Sequence, residues 1–167
     1  VQFAKTQASV FVTASKKLLP EVLRHDVLVV DTESRHEPAA EAYRSVFESA
    51  EYAYKKKIAL IYKKTDSLLR GNIGAELAAV LDASRRSTLV FVPSFPRMGR
   101  IVRNGCIHVN GKLLTQTHDA KDPFSPVSTS DVSAIVAGQT DIPVRTADLK
   151  DQVFVPSDKK EIIISNA

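Results

Sequence analysis

The chain has 167 residues, 44% of them hydrophobic, with 23 Lys and Arg against 19 Asp and Glu for a formal net charge of +4. That is enough for one α/β domain that buries about two thirds of its unfolded surface, and it leaves no room for a second full domain. No apolar run approaches the roughly 18 residues that cross a bilayer, no secretory leader opens the chain, the one cysteine, Cys106, excludes an internal disulfide, and four scattered histidines offer no metal-ligand spacing. The default setting is therefore a reducing cytoplasm, with no membrane contact and no metal ligands on this chain.

Short apolar runs at 10–13 and 27–31 read as buried strands. A helix follows: Ala39, Ala42, Tyr43, Val46, Phe47, Ala50 and Tyr54 fall on one face, and Pro38 stands where a first turn tolerates it. The basic triplet at 55–57 closes that helix, where cations offset the carbonyl end of the dipole. The remaining basic residues are dispersed rather than massed, so nucleic acid is a minor reading. Residues 58–62 (IleAlaLeuIleTyr) predict a third strand, and Ile73, Leu77, Val80 and Leu81 a second helix whose free amides Asn72 is placed to cap. Residues 89–93 predict a further strand. Beyond Pro96 the pattern changes: CysIleHisVal, AsnGly at 110 and 111, then LysLeuLeu reads as a hairpin with a type I′ turn. The turn-rich stretch at 118–131 crosses the surface before a short helix near 132–137, and 162–164 closes the chain with another strand. The alternation predicts a three-layer, Rossmann-like α/β fold, with a mostly parallel but mixed sheet and helices on both faces, spanning 1–167 as one domain.

Three polar clusters each follow a predicted strand, where open α/β sheets place ligands. The first is AspThrGluSerArg at 31–35: Asp31 suits sugar hydroxyls and Arg35 a two-pronged grip on a carboxylate, although Asp31 capping a turn beside a solvated Arg35 explains the residues equally well. The second, LysLysThrAspSerLeuLeuArgGlyAsn at 63–72, packs cations, a carboxylate, hydroxyls and a glycine before a helix start, which favours an anion. Its glycine and lysine order is not that of a Walker A loop. The bland reading, a capped helix with a solvated entry, leaves the crowding of Lys64, Asp66 and Arg70 unexplained. The third, ProSerPheProArgMetGlyArg at 93–100, is weaker: two prolines stiffen it, Gly99 frees the backbone, and Arg97 or Arg100 can reach an acid. A fourth patch, His118, Asp119 and Asp122, is more often a turn than a site.

In this order the clusters resemble the N-terminal sugar-binding domain of the four-carbon acid sugar kinases, whose members phosphorylate threonate, erythronate or 3-oxo-tetronate with ATP. Residues 31–35 are similar to that family's Asp-Thr-x-Ser-Arg. Residues 63–76, ending IleGlyAlaGlu, are close to its most specific signature, and 93–100, AsnGly at 110 and 111, and AspPro at 122 and 123 follow in the expected sequence. Leu68 departs from the usual Thr or Val, and SerAsn at 165 and 166 from a strand end that often carries Asp.

The resemblance implies a lobe that starts just past an Asp-Asp-x-Thr-Gly loop of the family and stands without the C-terminal nucleotide-binding domain, and hence a fragment that does not transfer phosphate alone. It implies Asp66 as the best general-base candidate in these residues, with the aspartates of the family's Asp-Asp-x-Thr-Gly loop an equally good choice, and Asp31, Ser34, Arg35, Lys64, Ser67, Arg70, Gly71, Asn72, Gly99 and Arg100 as contacts to the sugar acid. ATP and magnesium would be held mainly by the nucleotide-binding domain, which is the expected partner together with the sugar acid; a homodimer is left open. The rival reading is a stand-alone small-acid-binding or regulatory module without catalysis.

Overall fold

The computed structural model describes residues 5–14, 24–148 and 158–166. Its strands pair as the sequence-level class requires. β1 (Val10–Thr13) runs parallel to β2 (Val27–Val30), with Val10 opposite Val27. In a second sheet β3 (Thr88–Phe91), β8 (Glu161–Asn166) and β7 (Val144–Asp148) lie in the order β3-β8-β7, all parallel. Ile162, Ile163 and Ile164 of the central strand are 0% exposed, as an unbroken β-branched run must be when both faces of a parallel strand are covered. Each such side chain contributes about 1.5–3 kcal/mol of burial.

A third sheet is antiparallel: β4 (Arg100–Arg103), β5 (Cys106–Val109) and β6 (Lys112–Leu113) in chain order. Asn110 and Gly111 both have positive φ, 50° and 81°, as a type I′ turn demands. The same chemistry recurs at Asn104 and Gly105, φ 51° and 75°, which turn β4 into β5.

Helix α1 (Ala39–Lys55) begins after Pro38 and buries Ala42, Val46 and Ala50. Helix α2 (Ile73–Ser84) is buried nearly all round, because it packs on α1 through Ala79, Val80 and Ala83 while Ile73, Leu77 and Leu81 enter the main core with Phe91, Ile107, Val136, Ile162 and Ile164. A short helix α3 (Val132–Ala137) is capped by Asp131, whose Oδ1 accepts from the Ala134 amide at 3.0 Å. Among the described residues no helix is long and apolar enough to cross a membrane.

Two features depart from the sequence-level reading. Residues 58–62 join no strand among the described residues. Ile61 packs inward against the Val46 and Val80 cluster and Ile58 is half-buried, while Leu60 and Tyr62 are 79% and 73% exposed. An apolar, β-branched run favours extended backbone, but a strand also needs a neighbour about 4.8 Å away to take its hydrogen bonds. The expected single mixed sheet is consequently divided into two parallel sheets and a separate antiparallel one. Strand β7, which the sequence-level reading passed over, gains its place by pairing with β8 rather than by strong patterning of its own.

The tightest helix contact is at Gly74, where an added Cβ would lie 2.3 Å from the Val136 carbonyl oxygen and 2.8 Å from Gln139 Cβ. In an unconstrained helix Gly to Ala stabilises by about 1 kcal/mol. Here the overpacking cost of about 1–3 kcal/mol outweighs that gain. Gly74→Ala is expected to lower the denaturant midpoint; a midpoint that rises would show that α3 yields freely.

Candidate functional site

The first two polar clusters meet at the start of α2. After β2, Asp31 Oδ1 accepts from the Glu33 amide at 3.1 Å, and Glu33 takes the left-handed conformation (φ 50°). Asp31 therefore closes a local turn and is exposed. The chain then makes a short 3-10 turn, Ser34–His36, that puts Ser34 inside at 4% exposure and leaves the Arg35 side chain 46% exposed.

Two side chains of α2, one helical turn apart, hold this loop. The Asn72 amide nitrogen donates to the carbonyls of Ser34 at 2.9 Å and Glu37 at 2.8 Å. Buried Glu76 accepts from the Ser34 hydroxyl at 2.5 Å and pairs with the Lys63 ammonium at 2.6 Å. Asn72 thus occupies the N-cap position without capping the helix, contrary to the sequence-level expectation. Gln139, just past α3, does that work: its Oε1 accepts from the Gly74 amide at 2.8 Å and its Nε2 donates to the Gly71 carbonyl at 3.0 Å. A helix amide satisfied by protein is not offered to an anion. The charge beside this helix start comes from side chains.

Those side chains centre on Asp66. Arg70 donates through Nε to Asp66 Oδ2 at 2.7 Å and through Nη2 to Oδ1 at 3.2 Å, and Arg35 Nη2 stands 3.5 Å from the same Oδ1. Arg70 Nη1 reaches across to Asp122 Oδ2 at 2.9 Å, and the other Asp122 oxygen accepts from the amides of Phe124 and Ser125. Burial would push the Asp66 carboxyl up, but the hydrogen bonds and charge of Arg70, with that of Arg35, outweigh it and hold it below the ordinary carboxylate range. The Ser125 and Phe124 amides, then Arg70, hold Asp122 low as well. Asp66 stays ionised at neutral pH, and with both oxygens engaged by guanidinium it takes up a further proton less readily than a free carboxylate.

Beside this chain of charges lies a hollow of about 550 Å³, walled by Arg35, His36, Arg70, Gly71 and Asn72 on one side and by the 124–129 segment on another. Gly71 (φ 80°) permits the closure, because a Cβ there would stand 2.7 Å from the Arg35 carbonyl oxygen. Of the other residues singled out from sequence, exposed Lys64 turns its ammonium to the Thr65 carbonyl, and Ser67 lies in the turn that the Leu69 amide closes on the Asp66 carbonyl at 3.1 Å. Gly99 and Arg100 lie apart from the hollow. Gly99 (φ 67°) packs on the hairpin, its carbonyl accepting from the Asn110 amide at 2.7 Å, and Arg100 Nη1 donates to the Met98 carbonyl at 2.8 Å.

Sequence reasoning passed over Lys63, Glu76 and Gln139, and weighed Asp122 as a turn. Glu76 carried a readable signal: an acid four residues beyond Asn72, in a helix otherwise made mostly of Ile, Leu, Val, Ala and Gly. Gln139 carried none, being remote in sequence from the helix it caps.

A family model described as a sugar-binding N-terminal domain matches residues 1–162. The chain is 41% identical over 152 residues to a D-threonate kinase of Salmonella typhimurium, covering 90% of this chain and 36% of that protein. It is 42% identical over 118 residues to a D-erythronate kinase of Heliobacterium modesticaldum, covering 70% of this chain and 27% of that one. It thus spans about a third of the length of these curated relatives. Among solved structures, a domain of unknown function from Bordetella bronchiseptica, crystallised with bound citrate as a domain-swapped dimer, superposes with a TM-score of 0.83 at 28% identity, covering 99% of this chain and 43% of that one.

Asp66→Asn removes one counter-charge of the Arg70 guanidinium and is expected to cost about 1–3 kcal/mol at neutral pH. Because the folded pKa of Asp66 is depressed below its unfolded value of about 3.9, its contribution is complete above that value and fades as pH falls through the folded one. Denaturant midpoints of wild type and D66N should therefore differ at about pH 7 and converge as pH falls below the ordinary carboxylate range; a gap of constant size would refute the assignment.

Proposed function

The chain belongs to the family of sugar-binding N-terminal domains, and from that premise we propose that it is the substrate-binding lobe of an ATP-dependent kinase acting on four-carbon sugar acids such as threonate, erythronate or 3-oxo-tetronate. The observation that carries this reading is that Arg35 and Arg70, from two loops, share the Asp66 carboxylate and both line one hollow. Names of the relatives support the substrate class, and the citrate held by the Bordetella protein supports a site for small hydroxylated acids.

The division of labour follows from the geometry. Arg70 is committed to Asp66 and Asp122, so it sets local charge and shape. Arg35, half exposed and held by one long contact of 3.5 Å, has donors to spare for a substrate carboxylate. The loop that carries it also brings Ser34 and Asp31 to the same end of β2, and Asn72 keeps its side-chain oxygen for a substrate hydroxyl. Gly71 lines the hollow, whereas Lys64 and Ser67 stand outside its lining and Gly99 and Arg100 are set off on the hairpin. Asp66 fits the part of orienting the two arginines better than that of a strong base, since a carboxyl held low accepts protons poorly.

ATP and magnesium are assigned to a nucleotide-binding domain joined to this one. The lobe contributes binding and orientation: it presents a hydroxyl in line with the transferred phosphoryl group. A cytoplasmic setting, and a homodimer like those of the similar Bordetella structures, belong to the same proposal.

Titration calorimetry of the full-length protein with D-threonate, D-erythronate and 3-oxo-tetronate tests the reading. Binding of at least one is expected, and Arg35→Ala should cost the bonds of a charged pair, about 1.5–3 kcal/mol, which is roughly 10- to 100-fold in Kd. Absence of heat and of any thermal shift with all three at millimolar concentration would overturn it.

A further inference from the structure

Glu76 is a carboxylate 6% exposed in the first turn of α2, and nothing above gives it a ligand to touch. Its two oxygens are used differently. Oε2 takes the Lys63 ammonium at 2.6 Å, from the end of the 58–63 segment, and Oε1 takes the Ser34 hydroxyl at 2.5 Å. A carboxylate accepts and does not donate, so the Ser34 proton points at Glu76. The hydroxyl of Thr32, 2.8 Å from the Ser34 oxygen, must then be the donor in that contact. The direction of each bond is fixed from Lys63 to Thr32.

One helical turn earlier, Asn72 holds the carbonyls of Ser34 and Glu37. Side chains at i and i+4 share a helix face. Asn72 grips the backbone of the loop and Glu76 its interior side chain, so the segment from Thr32 to Glu37 is fastened to α2 at two points. Arg35 lies between them and is the residue of that segment whose side chain reaches Asp66.

Resting on the function proposed above, we propose that Glu76 is a positioning residue for sugar-acid binding: through Ser34 it fixes the loop that aims the Arg35 guanidinium into the hollow, while Lys63 neutralises it without competing for Ser34. A purely structural carboxylate would lower stability and leave the affinity of the folded protein unchanged. A positioning one changes affinity, because displacement of a charged group by an ångström costs far more in directed bonds than in overall packing.

The test uses the full-length protein with Glu76→Gln, Glu76→Ala and Ser34→Ala, and Ile163→Val as a core control of reduced stability away from the hollow. Two quantities are measured: Kd for D-threonate, D-erythronate or 3-oxo-tetronate by calorimetry, and amide hydrogen exchange across residues 32–37. E76A and S34A should weaken binding about 10-fold or more and speed exchange at Glu33 and Glu37, whose amides are bonded within the loop at 3.1 and 3.3 Å. The control should bind within about three-fold of wild type at reduced stability, and E76Q, whose single amide oxygen Ser34 and the Lys63 ammonium must share, should fall between the control and E76A. If E76A fails to fold, S34A and E76Q carry the comparison. Unchanged exchange at Glu33 and Glu37 in S34A overturns the inference whatever the ligand does, as does unchanged Kd in a variant whose loop has loosened. Should wild type bind none of the three acids, the proposed function fails, and the exchange data still decide whether Glu76 fastens the loop.

Discussion

The Arg70 guanidinium, with its side chain only 23% exposed, must be neutralised where it stands, and the local architecture follows from how that is done. It offers a planar fork of donors. Nε and Nη2 lie along Asp66, and Nη1 is left to cross to Asp122. Asp122 in turn orders the amides of the following turn. One side chain thereby ties the loop before α2 to a segment some fifty residues later, and the hollow lies between them. Without that cation Asp66 would keep only the long contact to Arg35 and Asp122 only the amides of its own turn, and the link between the two segments through Arg70 would be lost.

The surroundings of Arg70 leave one guanidinium less encumbered. Arg35 touches Asp66 at the long limit of an ion pair and is half exposed, while its backbone is held against Gly71 and clasped by Asn72. The loop is rigid where it must be and open at its tip. Affinity for a small acid is gained most cheaply when the charged group is already held, because little conformational freedom remains to be lost on binding. The start of α2 serves the same arrangement in an unexpected way. Gln139 takes the Gly74 amide, and the Asn72 side-chain amide holds the loop instead of capping the helix.

Parts of this were legible in the residues and parts were not, for identifiable reasons. The hairpin at 110 and 111 was readable because a type I′ turn needs two positive φ angles and AsnGly supplies them. The same dipeptide at 104 and 105 announced β4 equally well, but the prolines and glycine before it drew the reading toward a loop. Residues 58–62 had the composition of a buried strand and expose Leu60 and Tyr62, since pairing depends on a partner that composition cannot name. Asp31 was read both ways, and its Oδ1 is bonded to the Glu33 amide of its own turn. Asp122 was weighed as a turn residue and is one, through Phe124 and Ser125, yet its second oxygen reaches Arg70, a contact between residues far apart in the chain.

What the sequence determined alone were the features set by short-range physics: the alternation of strand and helix, the hairpin chemistry at 110 and 111, the amphipathic stripe of α1, and the run of cations, acid and glycine that marks 63–72 as a place for charge. Tertiary structure decided which of those charges meet which. That Asp66 is shared by Arg35 and Arg70, that Glu76 serves the loop after β2, and that Gln139 rather than Asn72 caps the start of α2 are outcomes of long-range packing. In a buried site each polar group must find a partner from whatever the fold brings within 3 Å, and that neighbour is not written beside it in the chain.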